Sequence, residues 1–316
     1  MEKCIHATLD LSKSLSVFKD EIKKLLELKN INEWNGQIVK EREEEIRQAA
    51  LILAGQCIAI FIYNLSQADS AHHTAVIQTQ VWQYPKTQKH GYTKRQILTI
   101  GNVLFPLSLP YMVTKIENNK KKNESPNQGF CPFLKWLGMS EGITPLVWST
   151  IAEYGAIASS FDAARSTLKD WGINVSLKRI ERLTYLFGKI GINLRQSKIL
   201  NLEMANLSNS NVLKAQRVVI AVDGGRTKIR FNKKGRRSSK TNRHGFVGEW
   251  MEPKLLTIYV VNEQGQKIRT SEIPITNDGT YSGYQEFLKI LEMYLVHLGI
   301  SQAKQVLLIA DGAEWI

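Results

Sequence analysis

Two aspartates each follow a short apolar run in the last hundred residues. Asp223 comes directly after the run RVVIAV, and Asp311 comes directly after KQVLLIA. Two carboxylates a few ångströms apart repel each other unless a cation lies between them, and hard oxygen ligands favour Mg²⁺ or Mn²⁺. Ions of this kind, held about 3.5–4 Å apart, are the working centre of many nucleases and strand-transfer enzymes. The pair is therefore a candidate catalytic and metal site, although either Asp-Gly alone is also ordinary turn chemistry.

The densest positive charge in the chain lies between these two acids. Residues 214–243 contain eleven lysines and arginines but one acid, Asp223. Cations beside a carboxylate site suit a phosphodiester substrate, because they bind backbone phosphates. We predict that nine of these side chains bind DNA: Arg226, Lys228, Arg230, Lys233, Lys234, Arg236, Arg237, Lys240 and Arg243. A basic loop that is disordered, or that orders only on DNA, would have the same composition.

The order of predicted elements explains how the two acids could meet. The hydrophobic pattern predicts three strands, an amphipathic helix and a buried fourth strand, at residues 217–222, 226–231, 254–261, 281–299 and 304–310. A right-handed crossover would place the first and fourth strands side by side, with their acids at one edge of the sheet. Between them, Asn277-Asp278-Gly279 predicts a turn, and residues 268–275 predict an additional edge strand.

The preceding two hundred residues are predicted to be mainly helical. The pattern indicates helices at 10–30, 36–65, 144–158, 161–171 and 176–190, a hairpin at 93–116 broken by Gly101, Pro106 and Pro110, and a basic linker from Glu117 to Gly129. The apolar run at 49–65 is shorter than the roughly 20 residues of a membrane-spanning helix. It also contains Gln56, so we expect a core helix or a self-associating helix.

The last two of these helices have the pattern of a helix-turn-helix. Gly172 is suited to end the first helix, and Ser176 is suited to cap the second. The second helix has a predicted apolar stripe of Leu177, Ile180, Leu183, Phe187 and Ile190. The second helix of such a motif enters the major groove, so we predict DNA contacts from three basic residues off the stripe: Lys178, Arg179 and Arg182. An ordinary three-helix bundle explains the same pattern.

Composition narrows the class of protein. The chain has 316 residues, enough for about two domains. Its 43% hydrophobic content excludes global disorder, and its net charge of +13 favours a polyanionic partner. The cysteines at 4, 57 and 131 are too far apart for a structural zinc site. With no signal peptide, their odd count indicates a reducing cytoplasm. We expect no membrane partner, because the apolar run at 49–65 is too short for a spanning helix.

Three segments of the C-terminal third, VVIAVDGGRTKIR, GEWMEPKLLTIYVV and VLLIADGAEWI, resemble DDE-type insertion-sequence transposases of the ISKra-type family. The resemblance covers about residues 215–316. It implies an RNase H-like fold in which Asp223 and Asp311 are the first two catalytic aspartates, with Mg²⁺ or Mn²⁺ as cofactor. It also implies a bacterial protein of the cytoplasm and nucleoid. Its partners would be the double-stranded terminal inverted repeats of the element and further copies of itself.

The resemblance also implies a third acid, a glutamate on a helix well beyond the second aspartate. The sequence ends five residues after Asp311, and Glu314 belongs to the matching ADGAEWI motif. We therefore expect a truncated transposase that is inactive or nearly so by itself, with apolar sheet surface left exposed.

The expected fold class is α+β or α/β, with a truncated RNase H-like mixed sheet after the helical part. Four regions are expected: a helical N-terminal region (1–85), a β-ribbon with a basic linker (86–130), a helix-turn-helix-like region (131–210) and a partial catalytic domain (211–316).

Two other functions fit parts of the sequence. A non-catalytic DNA-binding protein would use residues 161–190 alone. An actin-like or sugar-kinase ATPase would bind phosphate with the loop DGGRTK, through the backbone N–H groups of Gly224, Gly225 and Thr227. Such enzymes place this loop near their start and need a second domain after it, whereas here it begins at Asp223.

Overall fold

A computed structural model of the chain describes residues 4–27, 34–81, 87–115, 127–232, 235, 237–242, 244–270, 272–273 and 275–311. It is a mixed α/β protein, as the sequence predicts at this coarse level. Contacts divide the chain into two compact units, Met1–Lys189 and Ile190–Ile316.

The described residues form eight α-helices and eleven strands. The helices are α1 Leu11–Leu26, α2 Gly36–Ser66, α3 Asp69–Gln78, α4 Pro132–Trp136, α5 Pro145–Ile157, α6 Phe161–Asp170, α7 Leu177–Glu203 and α8 Tyr284–Leu298. The strands are β1 Ile5–His6, β2 Thr87–Leu98, β3 Val103–Lys115, β4 Asn127–Phe130, β5 Arg217–Gly224, β6 Thr227–Asn232, β7 Phe246–Met251, β8 Lys254–Val261, β9 Lys267–Ile268, β10 Thr276–Thr280 and β11 Gln305–Ile309.

The first unit contains the predicted hairpin, formed by β2 and β3. The expectation that Pro106 and Pro110 interrupt it is wrong, because β3 runs through both. The carbonyl of Leu104 points away from β2 and accepts a hydrogen bond from the backbone of Ala7 at 2.9 Å. Because backbone groups point to alternate sides along a strand, the backbone nitrogens of Pro106 and Pro110 point to the same side as this carbonyl. On that side, β1 and β4 pair only with the ends of β3. The missing N–H groups therefore remove no ladder bond between the strands that the structure describes.

Helix α2 packs against this sheet as a core helix. Ala59 and Ile62 join a buried cluster with Phe105, Leu107 and Leu109 of β3. By length and composition alone α2 could cross a membrane, a criterion that core helices of soluble proteins also meet. Its packing on β3 agrees with the core-helix expectation.

Helices α5, α6 and the start of α7 share one buried cluster, made of Ile143, Val147, Ile151, Ala164, Leu168, Ile173, Val175, Ile180 and Leu183, with Leu98 and Ile100. Ser176 caps α7, since its Oγ accepts a hydrogen bond from the backbone of Arg179 at 3.3 Å. The predicted apolar stripe is only partly buried, because Leu177, Phe187 and Ile190 are exposed. Helix α7 also extends beyond its predicted end, to Glu203.

The second unit is built on a sheet with the order β10-β8-β5-β11, to which β9 adds by pairing with β8. Strand β11 runs parallel to β5, and the other pairs are antiparallel. One face packs against α8, in a cluster that includes Val218, Ile220, Val222, Leu256, Ile258, Val260, Phe287, Ile290 and Met293.

Three local expectations in this unit are wrong. Strand β6 is not part of the main sheet but forms a separate two-stranded ribbon with β7. Asn277, Asp278 and Gly279 lie in strand β10 rather than in a turn. Among the described residues of the predicted edge strand at 268–275, Ile268 alone lies in a strand, as the second residue of β9. The hydrophobic pattern indicates that a strand exists but not which strand it pairs with.

The apolar composition of β11 predicts a buried strand, but the structure shows that the strand is exposed. Val306, Leu307, Leu308 and Ile309 each keep 46–57% of their surface. The expected exposure of apolar sheet surface is therefore observed on this strand.

Candidate functional site

The candidate acids lie at the same end of two neighbouring parallel strands. The register between β5 and β11 runs as far as Ala221 and Ile309. Asp223 and Asp311 each stand two residues further along, and both are exposed. The juxtaposition follows from parallel pairing, since parallel strands end together at one edge of a sheet.

Asp223 belongs to the face of the sheet opposite α8. Side chains alternate along a strand, and Val218, Ile220 and Val222 pack in the cluster with α8. Asp223 therefore shares its face with Val219 and Ala221. Their partners on β11 are Leu307 and Ile309, which lie on the same face. This face is exposed to solvent at β11.

The two carboxylates provide a small ligand set. In the described ranges, no group of three or more His, Cys, Asp and Glu residues could hold a metal ion. Mg²⁺ commonly binds through one or two carboxylates and keeps several waters, so a pair of aspartates suits it better than a closed all-protein cage. Glu314 lies outside the described residues.

The β6–β7 ribbon begins four residues after Asp223 and combines basic and aromatic side chains. Lys228 Nζ lies 6.0 Å from the ring centroid of Trp250, and Arg230 Cζ lies 4.1 Å from that of Phe246. Sequence reasoning identified the two cations but not the two rings. The four-residue spacing of Phe246 and Trp250, which places both rings on one face of a strand, was an available signal, but the pairing register that joins the rings to the cations was not.

The other basic candidates of this segment divide into two groups. Arg226, Arg237 and Lys240 are exposed, and Arg237 donates a hydrogen bond from Nε to Nε2 of His244 at 3.4 Å. The other four predicted DNA-binding residues, Lys233, Lys234, Arg236 and Arg243, lie outside the described residues.

Two of the three basic candidates on α7 bind the loop before α5. Arg179 donates to the backbone oxygen of Glu141 at 3.1 Å, and Arg182 Nη2 lies 2.7 Å from the carboxylate of Glu141. Burial, and next the charge of Arg182, lower the pKa of Arg179 from its usual value. Lys178 is exposed at the first turn of the helix. Any phosphate contact by the two arginines would compete with Glu141.

Comparison with models of known protein families gives no match, and comparison with curated protein sequences gives none at a significant level. Function is therefore inferred from the site: two carboxylates at one sheet edge, followed in the chain by an exposed ribbon of cations and aromatic rings.

Proposed function

We propose that this chain is a DNA-processing protein of the DDE transposase type, with a second unit related to the RNase H-like catalytic core. The observation that carries the proposal is the parallel pairing of β5 with β11, with Asp223 and Asp311 two residues beyond its last register pair. The strand order supports it as well. The antiparallel strands β5, β8 and β10 are followed by α8 and by β11, which runs parallel to β5; the sequence predicts this crossover, but with residues 226–231 rather than β10 as one of the three antiparallel strands.

Each part of the site has a role in phosphodiester chemistry. Asp223 and Asp311 would hold Mg²⁺ or Mn²⁺, and the bound metal would supply Lewis-acid stabilisation of charge on a phosphate group. The exposed cations Arg226, Lys228 and Arg230 would bind the DNA backbone beside the acids. The described part of the chain adds no third ligand, so we expect weak metal binding and little strand cleavage by this chain alone.

Metal-dependent DNA affinity tests the proposal without requiring turnover. We expect Mn²⁺ to tighten the binding of duplex DNA several-fold over EDTA, because the ion joins the carboxylates to a phosphate. Asp223→Asn and Asp311→Asn should lose this gain but keep the affinity measured in EDTA. Fluorescence anisotropy with a labelled duplex measures both quantities.

The matched control is Glu263→Gln. Glu263 follows β8 near the end of the sheet where Arg217 pairs with Val261, away from the two aspartates. This variant should keep the Mn²⁺ gain. Loss of DNA binding in EDTA on substituting either aspartate would instead indicate a structural role. Robust cleavage by the wild-type chain would contradict the incomplete ligand set.

A further inference from the structure

We propose that one face of the β6–β7 ribbon binds single-stranded DNA by stacking bases on Phe246 and Trp250 while Lys228 and Arg230 contact the neighbouring phosphates. This inference deepens the proposed function and rests on its nucleic-acid substrate. It assigns the two aromatic rings to unpaired nucleotides, whereas the basic residues alone would suit any DNA.

The register of the ribbon places the four side chains on one face. Lys228 pairs with Trp250, Arg230 with Gly248, and Asn232 with Phe246. The side chains of two directly paired residues project from the same face of an antiparallel ladder. Along each strand, every second side chain projects from that face. The other face carries Ile229, Phe231, Val247 and Glu249. The acid of the ribbon therefore lies away from the cationic face.

The two rings remain largely in solvent. Trp250 is 65% exposed and Phe246 is 56% exposed, and neither belongs to the buried cluster of the second unit. Full burial of a large apolar side chain stabilises a structure several times more than an exposed cation–π contact does. The contacts with Lys228 and Arg230 thus cover only a small part of the apolar surface of the two rings. Most of that surface can still be buried by a ligand.

Gly248 lets the cations lie across the ribbon. A Cβ atom at this position would stand 2.6 Å from Cε of Lys228, so a larger residue would displace the lysine side chain. The two cations thus lie in a row along β6 and the two rings in a row along β7, as the phosphates and the bases of a single DNA strand form two parallel rows. Phe246 and Trp250 are four residues apart on one strand, which corresponds to about 13 Å and leaves room for separate bases.

The chemistry of the face favours unpaired bases over duplex grooves. Reading a groove requires hydrogen-bond donors and acceptors aimed at base edges, and a phenyl ring has none. Stacking needs only the flat face of a base, which is hidden inside a duplex, and contributes about 1–3 kcal/mol per base. A frayed or cleaved DNA end would present such bases close to Asp223.

The test compares the affinity of the full chain for a labelled oligothymidine and for a blunt duplex. Trp250→Ala and Phe246→Ala should each weaken oligothymidine binding by roughly 5- to 150-fold, the equivalent of losing one stacked base. Duplex affinity should change less than about twofold, which is well below the effect of losing one stacked base. Trp250→Phe should retain most of the oligothymidine affinity, because a flat ring remains.

Phe231→Ala is the matched control, since it removes a partly exposed ring from the opposite face of the same ribbon. We expect it to leave both affinities unchanged. Equal loss in Phe231→Ala and Trp250→Ala, or unchanged oligothymidine binding in Trp250→Ala, would overturn the stacking assignment alone. Failure of the wild-type chain to bind either DNA would overturn the proposed function as well.

Discussion

The carboxylate of Asp278 accepts hydrogen bonds from three donors within the second unit. Arg195 Nη1 lies 2.7 Å from Oδ1, the backbone nitrogen of Gly279 lies 2.7 Å from the same oxygen, and the hydroxyl of Tyr294 donates to Oδ2 at 2.9 Å. Two of these donors come from other elements, since Arg195 lies in α7 and Tyr294 lies in α8. Asn-Asp-Gly is ordinary turn chemistry, but these tertiary bonds hold the segment as strand β10.

This cluster predicts an alkaline pH dependence of stability. Burial, and next the hydrogen bond to Asp278, raise the pKa of Tyr294 from 10 to about 12. Between these values the unfolded chain releases the phenolic proton while the folded chain keeps it. The stabilisation by protonated Tyr294 is therefore complete below pH 10 and is lost as the pH rises toward 12.

Tyr294→Phe provides the comparison. At pH 8 the wild type should be more stable by about 1 kcal/mol, the contribution of one hydrogen bond. This difference should shrink between pH 10 and pH 12, because phenylalanine does not titrate. Urea unfolding of both proteins across this range measures it. A difference that is constant with pH would contradict the raised pKa.

The candidate residues could be predicted from the sequence to different extents. Asp223 and Asp311 were found because each follows an apolar strand, and strand ends are visible in a sequence. Phe246 and Trp250 were not, because their importance depends on their register with Lys228 and Arg230. Local composition does not specify this pairing.

At the scale of elements, the turn from α6 to α7 is fixed by a close approach of two glycines. Gly172 has a φ of +63°, and a Cβ atom there would lie 2.6 Å from Cα of Gly101. The backbone nitrogen of Gly101 also donates to the carbonyl of Trp171 at 3.4 Å. The turn thus requires glycine both for its backbone conformation and for space.

We predict that Gly172→Ala destabilises the first unit by more than the left-handed conformation alone would cost. That conformation costs an alanine about 1–2 kcal/mol, and the clash with Gly101 adds to it. Gly138→Ala is the control, because Gly138 has a φ of +67° and open space at its Cβ position. Thermal unfolding should show a clearly larger loss for Gly172→Ala. Equal losses would mean that the loop containing Gly101 moves freely out of the way.

The sequence predicted elements well where the local pattern was strong. It predicted them poorly where the local pattern was weak or where pairing with a distant strand determines the structure. Helices α1, α2, α5 and α6 were expected within a few residues of their observed bounds, because apolar spacing and, for α6, the stop at Gly172 mark them. Helix α3 was missed, since its sequence DSAHHTAVIQ has little amphipathic pattern and no side-chain cap. Strand β6 was found but assigned to the wrong sheet, because its partner β7 lies beyond the basic segment.

At the scale of the whole molecule, the exposed strand β11 predicts self-association. Leu307 is one of four exposed apolar residues on this strand, which is the last in the order of its sheet. Natural proteins often place lysine on such strands to prevent edge pairing. We expect the wild type to associate with increasing concentration in sedimentation equilibrium, and Leu307→Lys to shift it toward monomer.

Leu146→Lys is the control for this experiment, because Leu146 is an exposed leucine of α5 in the first unit. It should associate as the wild type does. A wild type that stays monomeric at all concentrations, or a Leu146→Lys variant that dissociates equally, would rule out β11 as the associating surface.

The central claim is that Asp223 and Asp311 together hold one divalent cation, and iron-directed backbone cleavage tests it most directly. Fe²⁺ replaces Mg²⁺ or Mn²⁺ in oxygen-ligand sites, and with ascorbate and peroxide it cuts the nearest peptide bonds. We predict cuts near both 223 and 311, which are suppressed by excess Mn²⁺ and lost in Asp223→Asn and in Asp311→Asn. Cuts near one aspartate alone, or cuts that persist in both variants, would contradict a shared metal site.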